Sequence, residues 1–321
     1  MKVLITGISG FVGSHLAEYC LKQPGVQLFG TVMNHHLGDE LKRIEGIKDK
    51  IELLECDLTN RVAVARVIKR VMPDKIFHLA AQSFVPTSWK SPEDTLINNI
   101  IPELNIFEVA REMNIDPVFV LALSSEEYGQ VLDNELPVKE TNELRPLSPY
   151  AVSKVAQEKL GYQYHKSYGQ KIVLTRFFNT EGPRRGQDFV TSSFAKQIAE
   201  IEKGKREPLI SVGNLEAKRD FSDVRDMVRA YWLASEKCNF GEPYNICSEK
   251  TRTIRSMLDL LLSLSSVKNI KIEQDPLRMR PSDVPVLWGD CSKFRQQTGW
   301  KPEIPFEKTM EDLLNYWREI V

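Results

Sequence analysis

The sequence predicts an α/β fold: a doubly wound parallel sheet over residues 1–178, then a smaller α/β lobe over 179–321. Short apolar runs alternate with stretches of helical periodicity through the first half. Runs such as "VLIT" and "VFVLAL" are apolar at consecutive positions, which suits parallel strands covered by helices on both faces. After Phe178 the texture changes to loops rich in Gly, Pro and Arg, as in "NTEGPRRGQ" and "VGNLEAKRD". The boundary near Asn179 is approximate, and the two lobes are free to interleave.

Each element follows from a local pattern. "KVLIT" reads as the first strand and "FVGSHLAEYCLK" as the first helix. "VQLFGTV", "IELLECD" and "DKIFHLA" read as the next three strands, and "PVFVLAL" as the fifth. "RVAVARVIKRVM" and "TLINNIIPELNIFEVAREMN" supply helices between them. "SPYAVSKVAQEKLGYQYHKSYG" is a long helix, and "KIVLTRF" a sixth strand. "MLDLLLSLSS" is the densest apolar run, but it is short and carries Asp259, so it reads as a packed helix.

The 321 residues carry a net charge of -1 and an apolar fraction of 42%, so neither nucleic acid nor an anionic membrane is implied as a partner. Cys20, Cys56, Cys238, Cys247 and Cys291 are scattered without CxxC spacing, which reads as reduced thiols in a cytoplasmic protein with no metal site. "MKVLITG" enters a strand at once and leaves no room for a signal peptide.

"ITGISGFVG" places Gly7, Gly10 and Gly13 between the first strand and first helix. Small residues let a diphosphate approach the backbone, and the helix N-terminus offers free N–H groups at its positive end. A Rossmann-type nicotinamide dinucleotide site is the expectation. At the end of the second strand, "GTVMNHH" has no acid to meet an adenosine 2′-hydroxyl, which tilts the cofactor toward NADP, with NAD the alternative. Asn34, His35 and His36 are able to bond a phosphate, and Arg43 is a further candidate. Asp57, ending the third strand, is placed to meet the adenine.

"SPYAVSK" puts Tyr150 and Lys154 one helical turn apart on a shared face. An ammonium there is expected to favour the tyrosinate and lower the tyrosine pKa, readying it for proton exchange with a substrate oxygen. Ser124 ends the strand upstream.

With these residues the chain resembles the extended short-chain dehydrogenase/reductase family. The matching stretches are the glycine turn, "DLT" at 57–59, "HLAA" at 78–81, Ser124, Tyr150 with Lys154, and "RDFSDVRD" at 219–226. The resemblance implies a catalytic set of Ser124, Tyr150 and Lys154. It implies cofactor contacts from Phe11, Val12, Leu58, Leu79, Ala80 and Ala81, and a nucleotide-sugar substrate against the second lobe. The family's sugar 4,6-dehydratases carry an acid two residues after the serine, which here is Glu126 in "SSEEYG". Oxidation at C4 acidifies the C5 hydrogen, and Glu126 would be the base that removes it. Glu127 reads as a solvated or packing residue.

Within that family, "LAAQSFVPTSW", "FNTEGPRRGQDFVT" and "VGNLEAKRD" resemble the GDP-mannose 4,6-dehydratases. That likeness implies substrate contacts from Ser83, Ser125, Asn179, Arg185, Val190, Lys196, Arg219, Arg280 and Asp283. It also implies a homodimer or homotetramer. The sister GDP-4-keto-6-deoxy-mannose reductases are resembled by "RDFSDVRD" and "RPSDVP", and they keep the glutamate. The chain lacks the paired arginines that the dehydratases show after the second strand, which weighs against NADP and against the tetramer. The expected activity is 4,6-dehydration of GDP-mannose, with the ketosugar reductase as the alternative. Another nucleotide-sugar dehydratase, an epimerase or a non-catalytic nucleotide sensor lies behind these, and the intact Ser124, Tyr150 and Lys154 argue against the sensor.

Overall fold

The computed structural model describes residues 1–33, 41–278 and 284–321. Strand β1 (Lys2–Thr6) is flanked by β2 (Gln27–Val32) and then β3 (Glu52–Glu55) on one side. On its other side come β4 (Lys75–His78), β5 (Val118–Ser124) and β6 (Lys171–Phe177). All these pairings are parallel. Crossovers run through α1 (Phe11–Cys20), α2 (Arg61–Val71), α3 (Val85–Lys90), α4 (Pro92–Glu112) and α5 (Pro149–Tyr168). Side chains alternate across each strand. Val3 and Ile5 therefore pack with Leu16 and Ala17 of α1, while Leu4 between them packs with Val64, Ile68 and Phe107 on the opposite face. Two apolar layers thus clamp the sheet. The sequence reading assigned no helix at Val85–Lys90, because six residues are too few to display a helical period.

The long helix starts where its sequence says. The Ser148 hydroxyl accepts the Ala151 N–H at 3.1 Å, Pro149 fits the first turn, and Gly169 closes the far end at φ 73°. That cap sets Tyr150 and Lys154 in the first two turns, directly against the end of β5.

The chain leaves the sheet through β7 (Asn179–Glu181), α6 (Val190–Glu202), β8 (Leu209–Val212) and β9 (Lys218–Asp223). It then returns. Helix α7 (Val224–Lys237) packs against α1, and β10 (Pro243–Ile246) pairs in parallel with β6 as the outermost of seven strands among the described residues. The division at 178 therefore separates the lobes in sequence but not in space: β10 adds a strand to the main sheet, and α7 packs beside α1. The strand "PYNI" is four residues of mixed polarity, with no periodic signal of its own. The remainder is β11 (Thr251–Thr253), α8 (Ile254–Ser263), β12 (Lys271–Gln274), β13 (Val286–Leu287), α9 (Ser292–Thr298) and α10 (Phe306–Ile320). In the lobe α6, α8 and α10 share a core of Phe194, Ile198, Met257, Leu261, Met310 and Leu314. Helix α8 carries most of the dense apolar run, with Asp259 facing solvent beside Arg255. Among the described residues no helix is long and apolar enough to cross a membrane.

Candidate active site

The carboxyl ends of β1 to β6 open on one cavity of about 1230 Å³, roofed by the lobe. This is where an open parallel sheet binds ligands, because helix N-termini and strand-end loops converge there.

The glycine turn forms one end of the cavity. Gly7 has φ +68°, and a Cβ on it would lie 3.0 Å from the Ala80 backbone. A Cβ on Gly13 would collide with the Gly7 carbonyl oxygen. Tight closure of the turn aims the α1 N-terminus into the cavity, and no acidic residue stands in its first turn. Thr6 pins the neighbouring strand end, its hydroxyl accepting the N–H groups of Leu79 (3.1 Å) and Ala80 (3.2 Å). Gly10, Phe11, Val12, Asp57, Leu58, Leu79, Ala80 and Ala81 all line this end with Gly7 and Gly13. The Asp57 carboxylate accepts the N–H (2.9 Å) and the hydroxyl (2.7 Å) of Thr59, so it is held as a strand-end acceptor. Asn34, His35 and His36 lie outside the described residues. Arg43 lines the cavity on this side, near Val32 and Met33. A bare, positively poled turn leading to the ends of β2 and β3 fits a dinucleotide.

Ser124, Glu126, Tyr150 and Lys154 come together at the middle of the cavity. Ser124 is the neighbour that most favours ionisation of the Tyr150 phenol. Lys154 is 4% exposed; its Nζ donates to the Ala122 carbonyl at 2.8 Å and stands 5.8 Å from the Tyr150 ring centre. The expected lowering of the tyrosine pKa is not what this arrangement produces. Burial pushes the Tyr150 phenol up, Ser124 and Arg185 oppose it, and Glu126 and Glu127 add to it. Lys154 is itself pushed down to about 8 by burial, against the pull of Glu103 and Glu127. Its ammonium bonds the Ala122 carbonyl and makes no hydrogen bond to the phenol among the described residues.

The two glutamates of "SSEEYG" diverge because Ser125–Tyr128 is a turn of 3₁₀-helix, which rotates successive residues by about 120°. Glu126 is half-buried and faces the cavity, and its carboxylate makes no hydrogen bond or ion pair among the described residues. Glu127 points the other way and is fully buried. It is not solvated: its Oε1 accepts the Ser124 N–H at 2.9 Å, completing a capping box.

Ser83, Ser125, Asn179, Arg185, Val190 and Arg219 also line the cavity. Lys196 does not. Val190 and Phe194 present the cavity face of α6, and Lys196 lies about 200° round the helix from Phe194. It bonds Gln187 (2.5 Å) and Glu200 (3.6 Å) at the surface. Arg280 and Asp283 lie outside the described residues. The arginines of "PRRG" also separate. Arg184 reaches back to Glu18 of α1 with two bonds of 2.8 and 2.9 Å and anchors the loop. Arg185 stacks on Phe189 (3.6 Å) and Phe11 (5.0 Å), with Glu181 4.0 Å from its Nε. Glu181, Lys90 and Arg278 line the cavity too. Sequence reasoning passed over them, although Glu181 sits inside the quoted "NTEGPRRG".

A family profile described as GDP-mannose 4,6 dehydratase matches residues 4–313. The chain is similar to a GDP-6-deoxy-D-mannose reductase of Pseudomonas aeruginosa, 32% identical over 322 residues, covering 100% of this chain and 98% of that protein. A GDP-mannose 4,6-dehydratase of Yersinia enterocolitica is 32% identical over 350 residues, covering 98% of this chain and 92% of that one. The solved structure of RMD from Pseudomonas aeruginosa, complexed with NADPH, superposes with a TM-score of 0.85 at 30% identity, covering 100% of this chain and 99% of that one.

Proposed function

The chain belongs to the GDP-mannose 4,6 dehydratase family, and on that premise we propose that it removes water across C5 and C6 of a GDP-linked mannose. The observation that supports this is Glu126, an uncommitted carboxylate on the cavity wall with Tyr150, which permits dehydration; the related reductases keep the same glutamate, so the incubation below decides between the two. Dehydration needs a base at C5; simple oxidation or reduction at C4 does not. NADP is the proposed cofactor on the strength of Arg43 at the adenosine end, with NAD the alternative. Bound there, the nicotinamide would take the hydride from sugar C4 and return it to C6.

The chain's own groups handle the protons. The tyrosinate form of Tyr150 takes the C4 hydroxyl proton, and Ser124 orients that oxygen. The C4 ketone makes the C5 hydrogen acidic, and Glu126 removes it. The C6 hydroxyl leaves with a proton as water, and a proton returned to C5 completes the 4-keto-6-deoxy product. Arg219 and Asn179 serve the nucleotide diphosphate, since arginine pairs its fork of N–H groups with phosphate oxygens. Five buried free thiols support a reducing, cytoplasmic setting, and a homodimer or homotetramer completes the proposal.

A second reading, the ketosugar reductase, is favoured by one observation. The reductase relative aligns over 322 positions with this 321-residue chain, whereas the dehydratase alignment takes 350 positions for 98% of it. One incubation separates the two. GDP-mannose without added reductant yields the ketosugar if the chain is a dehydratase. No reaction, followed by NADPH-dependent consumption of the ketosugar, selects the reductase. Inertness toward both overturns the proposal.

A further inference from the structure

One side chain, Arg184, ties the loop after β7 to the adenosine end of the cavity, and no step above uses it. Its guanidinium is shared among three partners. Nη1 and Nη2 donate to the Glu18 carboxylate of α1 at 2.8 and 2.9 Å. Nη2 also donates to Nδ1 of His15, in the same helix, at 2.8 Å. His15 is buried, and burial followed by the Arg184 charge pushes it down to about 4. The ring is therefore neutral at pH 7; Nδ1 accepts, and Nε2 donates to the Pro183 carbonyl at 2.9 Å. The third partner is Arg43. Nη1 of Arg184 donates to the Arg43 carbonyl at 2.9 Å, and Nε of Arg43 donates back to the Arg184 carbonyl at 3.1 Å.

Two features of this clasp point to a ligand. The first is Arg43 itself. Beyond its Nε bond, the Arg43 guanidinium makes no hydrogen bond or ion pair among the described residues. The side chain lines the cavity with Thr31, Val32 and Met33 at the end of β2, where a dinucleotide fold meets the adenosine ribose. A guanidinium fixed at Nε and bare at both Nη groups offers its fork to a phosphate. The stretch "TVMNHHLGDE" before it holds no Lys or Arg to do the same. The second feature is the backbone of Arg184. Its φ is 71°, in the left-handed region that side chains rarely adopt and glycine enters freely. A residue stays there when its surroundings over-determine it, and such positions gather at ligand clamps.

We propose that Arg184 is a positioning residue for cofactor selection, holding the Arg43 guanidinium at the adenosine 2′-phosphate of NADP. The proposal rests on the reading of Arg43 given above and adds the residue that fixes it. Glu18 and His15 secure Arg184 to α1, Arg184 secures Arg43, and Arg43 meets the phosphate. Arg184 does not itself line the cavity. Its effect is to order a long side chain before the ligand arrives, which lowers the entropic cost of binding.

The test is calorimetric: dissociation constants of NADP and NAD for nucleotide-free wild type, R184G, R43A and R184G/R43A, with no sugar present. Glycine suits the φ of this position, so R184G frees the loop without straining it. The preference for NADP over NAD is expected to fall roughly fivefold in R184G, the scale of immobilising one long side chain. In the R43A background the same change should move the ratio less than about twofold, because Arg184 acts through Arg43. E18Q loosens the same guanidinium from outside the cavity and lowers the ratio in the same direction, which keeps the test open if R184G folds poorly. A ratio unchanged in R184G and E18Q, with NADP and NAD weakened equally or not at all, overturns the proposal. So does a fivefold fall that persists in R184G/R43A. R43A with the wild-type ratio removes the phosphate reading of Arg43 and this proposal together; R43A that shifts the ratio while R184G and E18Q do not removes this proposal alone.

Discussion

Replacing Glu126 with Gln tests the proposed chemistry at its most exposed point. The side chain is half-buried on the cavity wall, and its carboxylate bonds nothing among the described residues. The swap keeps the shape and breaks no contact of the folded chain, so stability should change by less than about 0.5 kcal/mol. The rate should not be spared. Loss of a positioned general base lowers a rate by roughly 10²- to 10⁴-fold. At about 1.4 kcal/mol per factor of ten, that raises the barrier by roughly 3–6 kcal/mol. The assay is ketosugar formation from GDP-mannose, followed chromatographically, beside a thermal melt. E126Q that melts like wild type and dehydrates at the wild-type rate would refute the assignment of Glu126 as base. A wild-type chain that only reduces the ketosugar should tolerate E126Q far better, since hydride addition at C4 removes no C5 proton.

Three further outcomes are expected. Glu158→Ala strips the counter-charge from buried Arg176, and both side chains are 3% exposed. The loss should be about 3–5 kcal/mol by denaturant titration, and a loss below about 1 kcal/mol would contradict the pairing. Arg43→Ala should weaken NADP relative to NAD by about 2 kcal/mol, roughly thirtyfold in the ratio of dissociation constants, and an unchanged ratio would remove Arg43 from the phosphate site. Glu127 is pushed up to about 8 by burial and then by Glu158. Between pH 5 and 8 the unfolded chain has released that proton while the native chain retains it, so this group makes stability fall as pH rises. E127Q removes the effect, and its stability relative to wild type should climb across the same window; a flat difference would mean that the buried carboxyl holds no proton.

Much of the site was legible because its parts are local. A glycine turn, a strand-end serine and a Tyr-Lys pair on one helical face are each written within a few residues. Their meeting at the carboxyl ends of the strands follows from right-handed parallel winding. Lys196 was misplaced because it was assigned from a family-like loop, whereas helix phase turns it from the cavity. Glu127 was left as a solvated or packing residue, because charge in a sequence does not say whether a side chain is inside. Only packing against α4, α5 and β6 shows that this carboxyl is inside, holding the Ser124 backbone. The strand Pro243–Ile246 was missed because edge pairing with β6 comes from 66 residues away, across a lobe that interrupts the sheet in sequence.

The sequence by itself determined the winding of the sheet, the glycine turn and the placing of Tyr150 and Lys154 on one helical face, since each depends on spacing along a single strand, turn or helix. Tertiary structure alone decided the electrostatics. Whether Lys154 can lower the Tyr150 pKa, which glutamate faces the cavity and which charges remain uncompensated are questions of burial and of neighbours drawn from α4, α5, β4 and β6. Desolvation depends on all the atoms around a group at once, and no window of sequence contains them.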